Sequence, residues 1–219
     1  MGSPTIIIPA RSGSKGWPRK NVTLFDYTAK TIPTEHRDQV IVTTNDESIA
    51  GMASTYKFKL HDRSQELSQD RTDIKSVVQQ LVSSDTHAPD EIVIMLYLTY
   101  PQRNWDDVTS MYNQFVTSGA KSMLCRQPVR THPCLTMLDN GDGTGTQVIK
   151  HRNYQRQQYP ACFEISHYMC MFRAGELSKL GRNMYNTKTR YYSIDRVVDV
   201  DSVNDYNNFK DIYEHQDQD

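Results

Sequence analysis

Cysteine is scarce in this chain, and its spacing excludes more than its number does. Cys125, Cys134, Cys162 and Cys170 form no Cys-x-x-Cys pair. That argues against a structural zinc site. In a reducing compartment the four read as buried free thiols, not as bridges. An excess of either charge is also missing, since 25 Lys and Arg stand against 26 Asp and Glu for a formal net charge of −1. A nucleic acid partner calls for a basic surplus or a basic stripe, so any anion this chain takes must be held locally. No apolar run approaches bilayer length, and the opening residues MGSPTIII lack the basic-then-hydrophobic layout of a secretion signal. The expectation is a soluble, cytoplasmic protein with no membrane partner. With 219 residues, the chain suits one α/β domain over 1–219 and is too short for two full ones.

What the chain does have is concentrated near its start. Ile6, Ile7 and Ile8 read as a buried strand that Pro9 closes. Arg11, Lys15, Arg19 and Lys20 follow, interleaved with Ser12, Gly13, Ser14 and Gly16. Backbone N–H groups and cations can converge there on one anion, which is how a loop holds a polyphosphate. The spacing of Gly13 and Gly16 is not that of a Walker A loop. Taken alone, the stretch is equally consistent with a solvated turn.

The remaining chain alternates strand and helix signals. Residues 22–37 carry a weak pattern broken by Pro33, which predicts a short or irregular first crossover. QVIVTT (39–44) reads as a strand, with Asn45 or Asp46 capping a helix that runs through Ser54. A short strand is expected over 57–60, and a helix over 72–83 with Val77, Val78 and Leu81 inward. EIVIMLYLT (91–99) is an unbroken apolar run, expected of a central parallel strand covered on both faces. A helix to about Gly119, a strand over 121–125, a hairpin turning at DNGDGTG (139–145) and a last helix starting near Asp205 complete the reading. This alternation predicts a parallel α/β sheet with its ligand site at the carboxyl ends of the strands. Near the end, Asp199 and Asp201 in VVDVDSVND stand two apart in an extended stretch, which puts both carboxylates on one face. Paired hard oxygen ligands suit magnesium beside phosphate oxygens and water.

The string PARSGSKGWPRKN (9–21) resembles the signature loop of the acylneuraminate cytidylyltransferases, the CMP-sialic acid synthetase family. Further segments agree in order. Thr43-Thr44-Asn45-Asp46 is similar to the family's Ser-Thr-Asp-Asp, and Arg63, Leu67 and Asp70 to its Arg…Leu-Ala-x-Asp. LYLTYPQR (96–103) is similar to Leu-Gln-Pro-Thr-Ser-Pro-Leu-Arg, and Arg156-Gln157 to Arg-Gln-x-x-Pro. VVDVDSVND (197–205) is similar to the metal motif Ile-Asp-Ile-Asp-Thr. Thr131-His132-Pro133 resembles a proline-adjacent histidine, which is better read as packing than as catalysis. Other landmarks differ: Tyr97 replaces a glutamine, Tyr100 a serine, and His167, Tyr168 and Met171 replace an asparagine, a glycine and a tyrosine. These departures predict a bulkier sugar pocket.

The resemblance implies a Rossmann-like nucleotidyltransferase, a three-layer α/β fold with a mainly parallel central sheet and a hairpin and dimerisation extension over about 131–168. It implies transfer of CMP from CTP to the anomeric hydroxyl of a 2-keto acid sugar, with release of pyrophosphate. Arg11, Lys15 and Asp201 are then the catalytic candidates, and Ala10, Arg11, Ser12, Ser14, Lys15, Asn21 and Arg63 the nucleotide-binding ones. Tyr97, Arg103, Arg156, Gln157 and His167 would face the sugar, while Asp199 and Asp201 would hold Mg2+. A homodimer is implied, with no nucleic acid partner. Two alternatives stay open: a different acidic sugar (legionaminic, pseudaminic or Kdo-like), or a non-catalytic nucleotide- or sugar-binding descendant. The enzyme reading requires that the cationic turn and the twin acids share one cavity.

Overall fold

The computed structural model describes residues 3–13, 16–82 and 87–213. In chain order its strands are β1 (Thr5–Pro9), β2 (Val40–Thr44), β3 (Lys59–Asp62), β4 (Ile92–Met95), β5 (Ser122–Pro128), β6 (Met137–Asp139), β7 (Gly145–Gln147), β8 (Phe163–Arg173) and β9 (Arg190–Ser193). The helices are α1 (Lys20–Thr31), α2 (Glu47–Thr55), α3 (Ile74–Leu81), α4 (Trp105–Thr117) and α5 (Val203–Tyr213). Seven strands form one sheet in the order β3-β2-β1-β4-β8-β5-β9, while β6 and β7 pair as a separate hairpin. All ladders in the large sheet are parallel except the two made by β8.

The strands form where β-branched residues are buried on both faces. In β1, Ile6 and Ile8 enter one core cluster and Ile7 the opposite one. In β4, Ile92 and Ile94 point one way and Val93 and Met95 the other. The larger cluster takes Leu24, Phe25 and Ala29 of α1, Ile49 and Ala53 of α2, Met111 and Phe115 of α4 and Phe209 of α5. The smaller takes Val78 of α3 with Leu177, Leu180 and Met184. This is the expected three-layer sandwich around a mainly parallel sheet. Among the described residues, no helix is long and apolar enough to cross a membrane.

Three sequence expectations are corrected. The first crossover is not short: α1 has 12 residues and buries Leu24, Phe25, Thr28 and Ala29. Those positions form one helical stripe, but its third member is a threonine, so the periodicity is faint in sequence. The chain then turns before Pro33, in keeping with proline's place beyond a helix end. Secondly, the apolar run 91–99 is not all strand, since ladder pairing stops at Met95 and the Leu96 N–H gives a last bond to the Ile7 carbonyl at 3.0 Å. Leu96 and Leu98 are buried in the turn that follows, so the run marks burial more than strand length. β4 is also parallel on one side only, because its other neighbour β8 is antiparallel. Thirdly, β3 lies two residues later than read, since Lys57 closes α2 in the left-handed region (φ 61°).

Sheet order grows outward in opposite directions from the β1/β4 pair, which makes their carboxyl ends a topological switch point. The loop after β1 and the turn after β4 both open there.

Candidate active site

The end of β2 holds the loop after β1 in place. The Ala10 N–H donates to the Thr43 carbonyl (3.0 Å). The Ser12 N–H donates to Asn45 Oδ1 (2.8 Å), and Asn45 Nδ2 donates to Ser12 Oγ (2.8 Å). From the start of α1, Asn21 Nδ2 donates to the Arg11 carbonyl at 2.8 Å. Gly13 adopts φ 75° and Arg19 φ 62°, so the chain reverses sharply on each side of the loop and feeds directly into α1. Asp46, of the two capping candidates, accepts from the Ser48 and Ile49 N–H groups and starts α2.

Two arginines line this rim. Arg11 reaches Asp70 (2.8 Å) and the Ser68 carbonyl (3.3 Å). Arg63 is 5% exposed, anchored by its N–H to the Thr44 carbonyl (2.9 Å) and by Nε to the Leu67 carbonyl (2.8 Å). Burial lowers its pKa to about 10, and the nearby Arg11 charge pushes the same way. The two guanidinium groups repel, and Asp70 offsets part of that charge at Arg11.

The acids arrive from the other end of the chain. Residues 194–201 belong to no strand, yet they are pinned to the turn after β4. The Val200 N–H donates to the Thr99 carbonyl (2.8 Å), Gln102 Nε2 to the Val198 carbonyl (2.9 Å), and Tyr100 OH to Asp199 Oδ2 (2.8 Å). On the far side, the Val197 N–H donates to Gln127 Oε1 at 3.0 Å. Asp199 keeps solvent access, but protein atoms crowding its carboxyl raise its pKa. Hydrogen bonds from Thr99 and Tyr100 oppose that rise, Asp201 adds to it, and Lys20 pulls it back.

The cationic loop and the acids meet. Lys20 Nζ lies 2.6 Å from Asp201 Oδ1, and a Cβ built on Gly16 would stand 3.6 Å from the Asp201 carbonyl oxygen. Trp17 and Tyr206 of α5 pack beside this contact with ring centroids 5.1 Å apart. Gly16 and Lys20 thus stand against Asp201, while Ala10, Arg11, Ser12, Asn21 and Arg63 are held together around the loop after β1. Ser14 and Lys15 lie outside the described residues. Among the described residues no group of three or more His, Cys, Asp or Glu side chains gathers into a metal cage. Two carboxylates with solvent access are the donor set of an ion completed by phosphate oxygens and water, so the residues present fit Mg2+ held together with a nucleotide.

The residues expected on the sugar side divide. Tyr97 and His167 meet edge to face at 5.5 Å. His167 Nε2 bonds the Asn183 carbonyl (3.1 Å), and the Tyr97 hydroxyl is buried without a partner among the described residues. Arg156 and Gln157 are exposed on a 3-10 turn of the extension, and neither side chain bonds another described residue. Arg103 is a correction. It is 2% exposed and spends its nitrogens on the Tyr97 and Tyr168 carbonyls and on Thr28 Oγ1, so it braces the turn from inside and has no face toward a sugar. The bulkier pocket is corrected too. Tyr100, Tyr168 and Met171 are 4%, 1% and 0% exposed and fill the core, leaving Tyr97 and His167 as the altered residues with an open edge. His132 is a packing residue as read: Nδ1 accepts from the Cys134 N–H (3.1 Å), and the ring stacks on Tyr159.

Sequence reasoning counted Lys20 among the loop cations without pairing it with Asp201, offered Asn45 only as a candidate cap, and gave Gln102 no role. Lys20 alone had a signal, as the last cation of the loop at the first position of a helix. Asn45 and Gln102 act through tertiary hydrogen bonds that no local pattern announces.

The profile of the cytidylyltransferase family matches residues 5–215. A curated relative, pseudaminic acid cytidylyltransferase of Campylobacter jejuni, is 32% identical over 126 residues, covering 52% of this chain and 54% of the relative. The chain thus spans about half the length of that relative. Among solved structures, CMP:2-keto-3-deoxy-manno-octonic acid synthetase complexed with CTP superposes with a TM-score of 0.70 at 13% identity, covering 98% of this chain and 100% of that one. A cytidylyltransferase from Leptospira borgpetersenii superposes at 0.61 with 14% identity, covering 96% and 86%. At such identities these two neighbours speak for the fold alone. With the strand order on the page and a profile spanning nearly the whole sequence, the chain belongs to the cytidylyltransferase family.

Proposed function

We propose that this protein transfers CMP from CTP to the anomeric hydroxyl of an acidic 2-keto sugar, releasing pyrophosphate. The observation that carries the reading is the 2.6 Å contact between Lys20 and Asp201, which closes the amino-terminal loop onto the carboxyl-terminal acids. Attack by a sugar oxygen on the α-phosphorus brings two anions together, so alignment and charge neutralisation are the main needs. Arg11 and Arg63 flank the position for the phosphates; Lys15, the third cation expected to act on them, lies outside the described residues. Ser12, Asn21 and the Ala10 backbone orient the nucleotide. Asp199 and Asp201 would hold Mg2+, which supplies Lewis-acid charge neutralisation on the triphosphate when bound. Lys20, released from Asp201, stabilises charge that builds on the non-bridging oxygens. Asp201 and a water on the bound ion are the two candidates to take the proton of the anomeric hydroxyl.

The sugar is an acidic nonulosonic or octulosonic acid, with Tyr97 and His167 as its open aromatic edge. The resemblance to a pseudaminic acid enzyme supports a sugar other than sialic acid as readily as sialic acid itself. The extension supports a homodimer: Met137, Leu138 and Val148 are 70%, 62% and 51% exposed, and Tyr154 is 95% exposed, an apolar surface that a second copy would cover. Arg156 and Gln157 on this extension would then serve a sugar site across the dimer, where arginine suits a carboxylate. The test is pyrophosphate release from CTP and Mg2+ with a panel of 2-keto acid sugars. Turnover with one or more members is expected, and release with none of them sinks the reading.

A further inference from the structure

Tyr100 stands where the family resemblance places a serine, and its hydroxyl is the one side chain of the turn after β4 that bonds Asp199 from an aromatic ring (2.8 Å). The ring cannot follow a moving carboxylate. It is 4% exposed and set edge to face on Tyr168 at 5.8 Å and 86°. Tyr168 is itself fixed by its hydroxyl on Asp107 and by the Arg103 guanidinium 5.2 Å above its ring centroid. The same turn holds both neighbours of Asp199: the Thr99 carbonyl accepts from the Val200 N–H, and Gln102 Nε2 donates to the Val198 carbonyl. One oxygen of Asp199 is thereby tied to an immobile donor, and Thr99 adds a side-chain hydrogen bond to the same carboxylate. A serine hydroxyl at this position is several bond lengths shorter and could not span the same gap without backbone movement.

We propose that Tyr100 is a positioning residue: through the hydroxyl on Oδ2 it holds the Asp199 carboxylate in one orientation, in which it meets a divalent cation. This inference rests on the proposed metal role of Asp199. A ligand held in advance loses no side-chain freedom when the ion arrives, so the bond acts on cation affinity and leaves nucleotide affinity alone.

The experiment titrates Mn2+ into the full chain, by electron paramagnetic resonance of the free ion, with CTP present and no sugar. Y100F removes the hydroxyl and keeps the ring. It is expected to weaken Mn2+ binding by about five- to tenfold, the scale of one hydrogen bond to a charged group. CTP affinity without metal should stay within twofold, and in turnover assays the half-saturating Mg2+ should rise while the sugar KM does not. Replacing Tyr100 with 4-aminophenylalanine, which returns a donor to the same place, should restore wild-type Mn2+ affinity and keeps the test available if Y100F folds poorly. Equal Mn2+ affinity in wild type and Y100F overturns the proposal, as does failure of the amino analogue to rescue. D199N separates this from the underlying reading. If wild type binds Mn2+ no better than D199N, the metal role of Asp199 fails and the positioning role fails with it. If D199N alone loses the ion and Y100F keeps it, only the positioning role falls.

Discussion

The contact between Lys20 and Asp201 predicts two effects of opposite sign from one substitution. Lys20→Met keeps most of the side-chain stem, which is buried to 13% exposure, and removes the charge. Asp201 is 71% exposed, so the lost ion pair is a screened one, worth about 0.2–1 kcal/mol. In a domain of this size that lowers Tm by about 4 °C at most. Before nucleotide arrives, the ammonium competes with any divalent cation for Asp201. Deleting it should therefore tighten Mn2+ binding to the nucleotide-free protein, by up to about fivefold for 1 kcal/mol. Turnover should move the other way. A cation aimed at charge that develops during transfer is worth about 10²–10³ in kcat. Pyrophosphate release measures the second effect, and paramagnetic resonance of free Mn2+ the first. Turnover within threefold of wild type, or weaker Mn2+ binding in the variant, would refute the reasoning, because a merely structural lysine does neither thing in this combination.

Other outcomes follow from the same geometry. Arg103→Met leaves the Tyr97 and Tyr168 carbonyls without their donors, and the expected cost is about 3 kcal/mol in denaturant unfolding. The sugar KM of the folded fraction should stay within twofold, and a large KM change at unaltered stability would return Arg103 to the sugar site. Tyr97→Phe removes a buried hydroxyl with no partner among the described residues, so stability should hold or rise by up to about 1 kcal/mol. With that hydroxyl closed off from solvent, sugar KM should stay within twofold, and a rise of fivefold or more would show that it opens to the sugar. Paired substitution of Met137 and Leu138 by Asp places charge in the exposed face of the hairpin. Light scattering on a sizing column should then read monomer in place of dimer, and an unchanged mass would leave the extension without an assembly role.

Burial was legible in the sequence, and geometry was legible only where one residue type enforces it. The three isoleucines of β1 and the glycine-rich hairpin turn admit few conformations and stand where the pattern placed them, and of the two cap candidates for α2 the structure takes Asp46. The helix α1 was missed because Thr28 sits in its buried stripe, and Thr28 is there as an acceptor for Arg103 (3.3 Å). The side that faces a sugar was misread for a related reason. A motif gives the order of residues along a strand, but whether Tyr168 and Met171 look into a pocket or into the core depends on the register of β8 between β4 and β5. A pair such as Asn45 and Ser12, 33 positions apart, leaves no local trace at all.

The placement of the acids follows from that distinction. Asp199 and Asp201 alternate as an extended segment should, yet residues 194–201 join no ladder, so the sheet does not set their position. Their position is set by three bonds to the turn after β4 and one to Gln127 on β5. That turn is in turn braced by Arg103, which is buried and carries a full charge among carbonyl oxygens. A buried cation satisfied by carbonyls stabilises little on its own, because desolvation offsets the bonds it makes. Its consequence is rigidity: the turn has one arrangement that satisfies the guanidinium, and the acids inherit it. The arginine that sequence order suggested for the sugar thus acts one layer deeper, holding Tyr100 and Thr99 where they can hold Asp199.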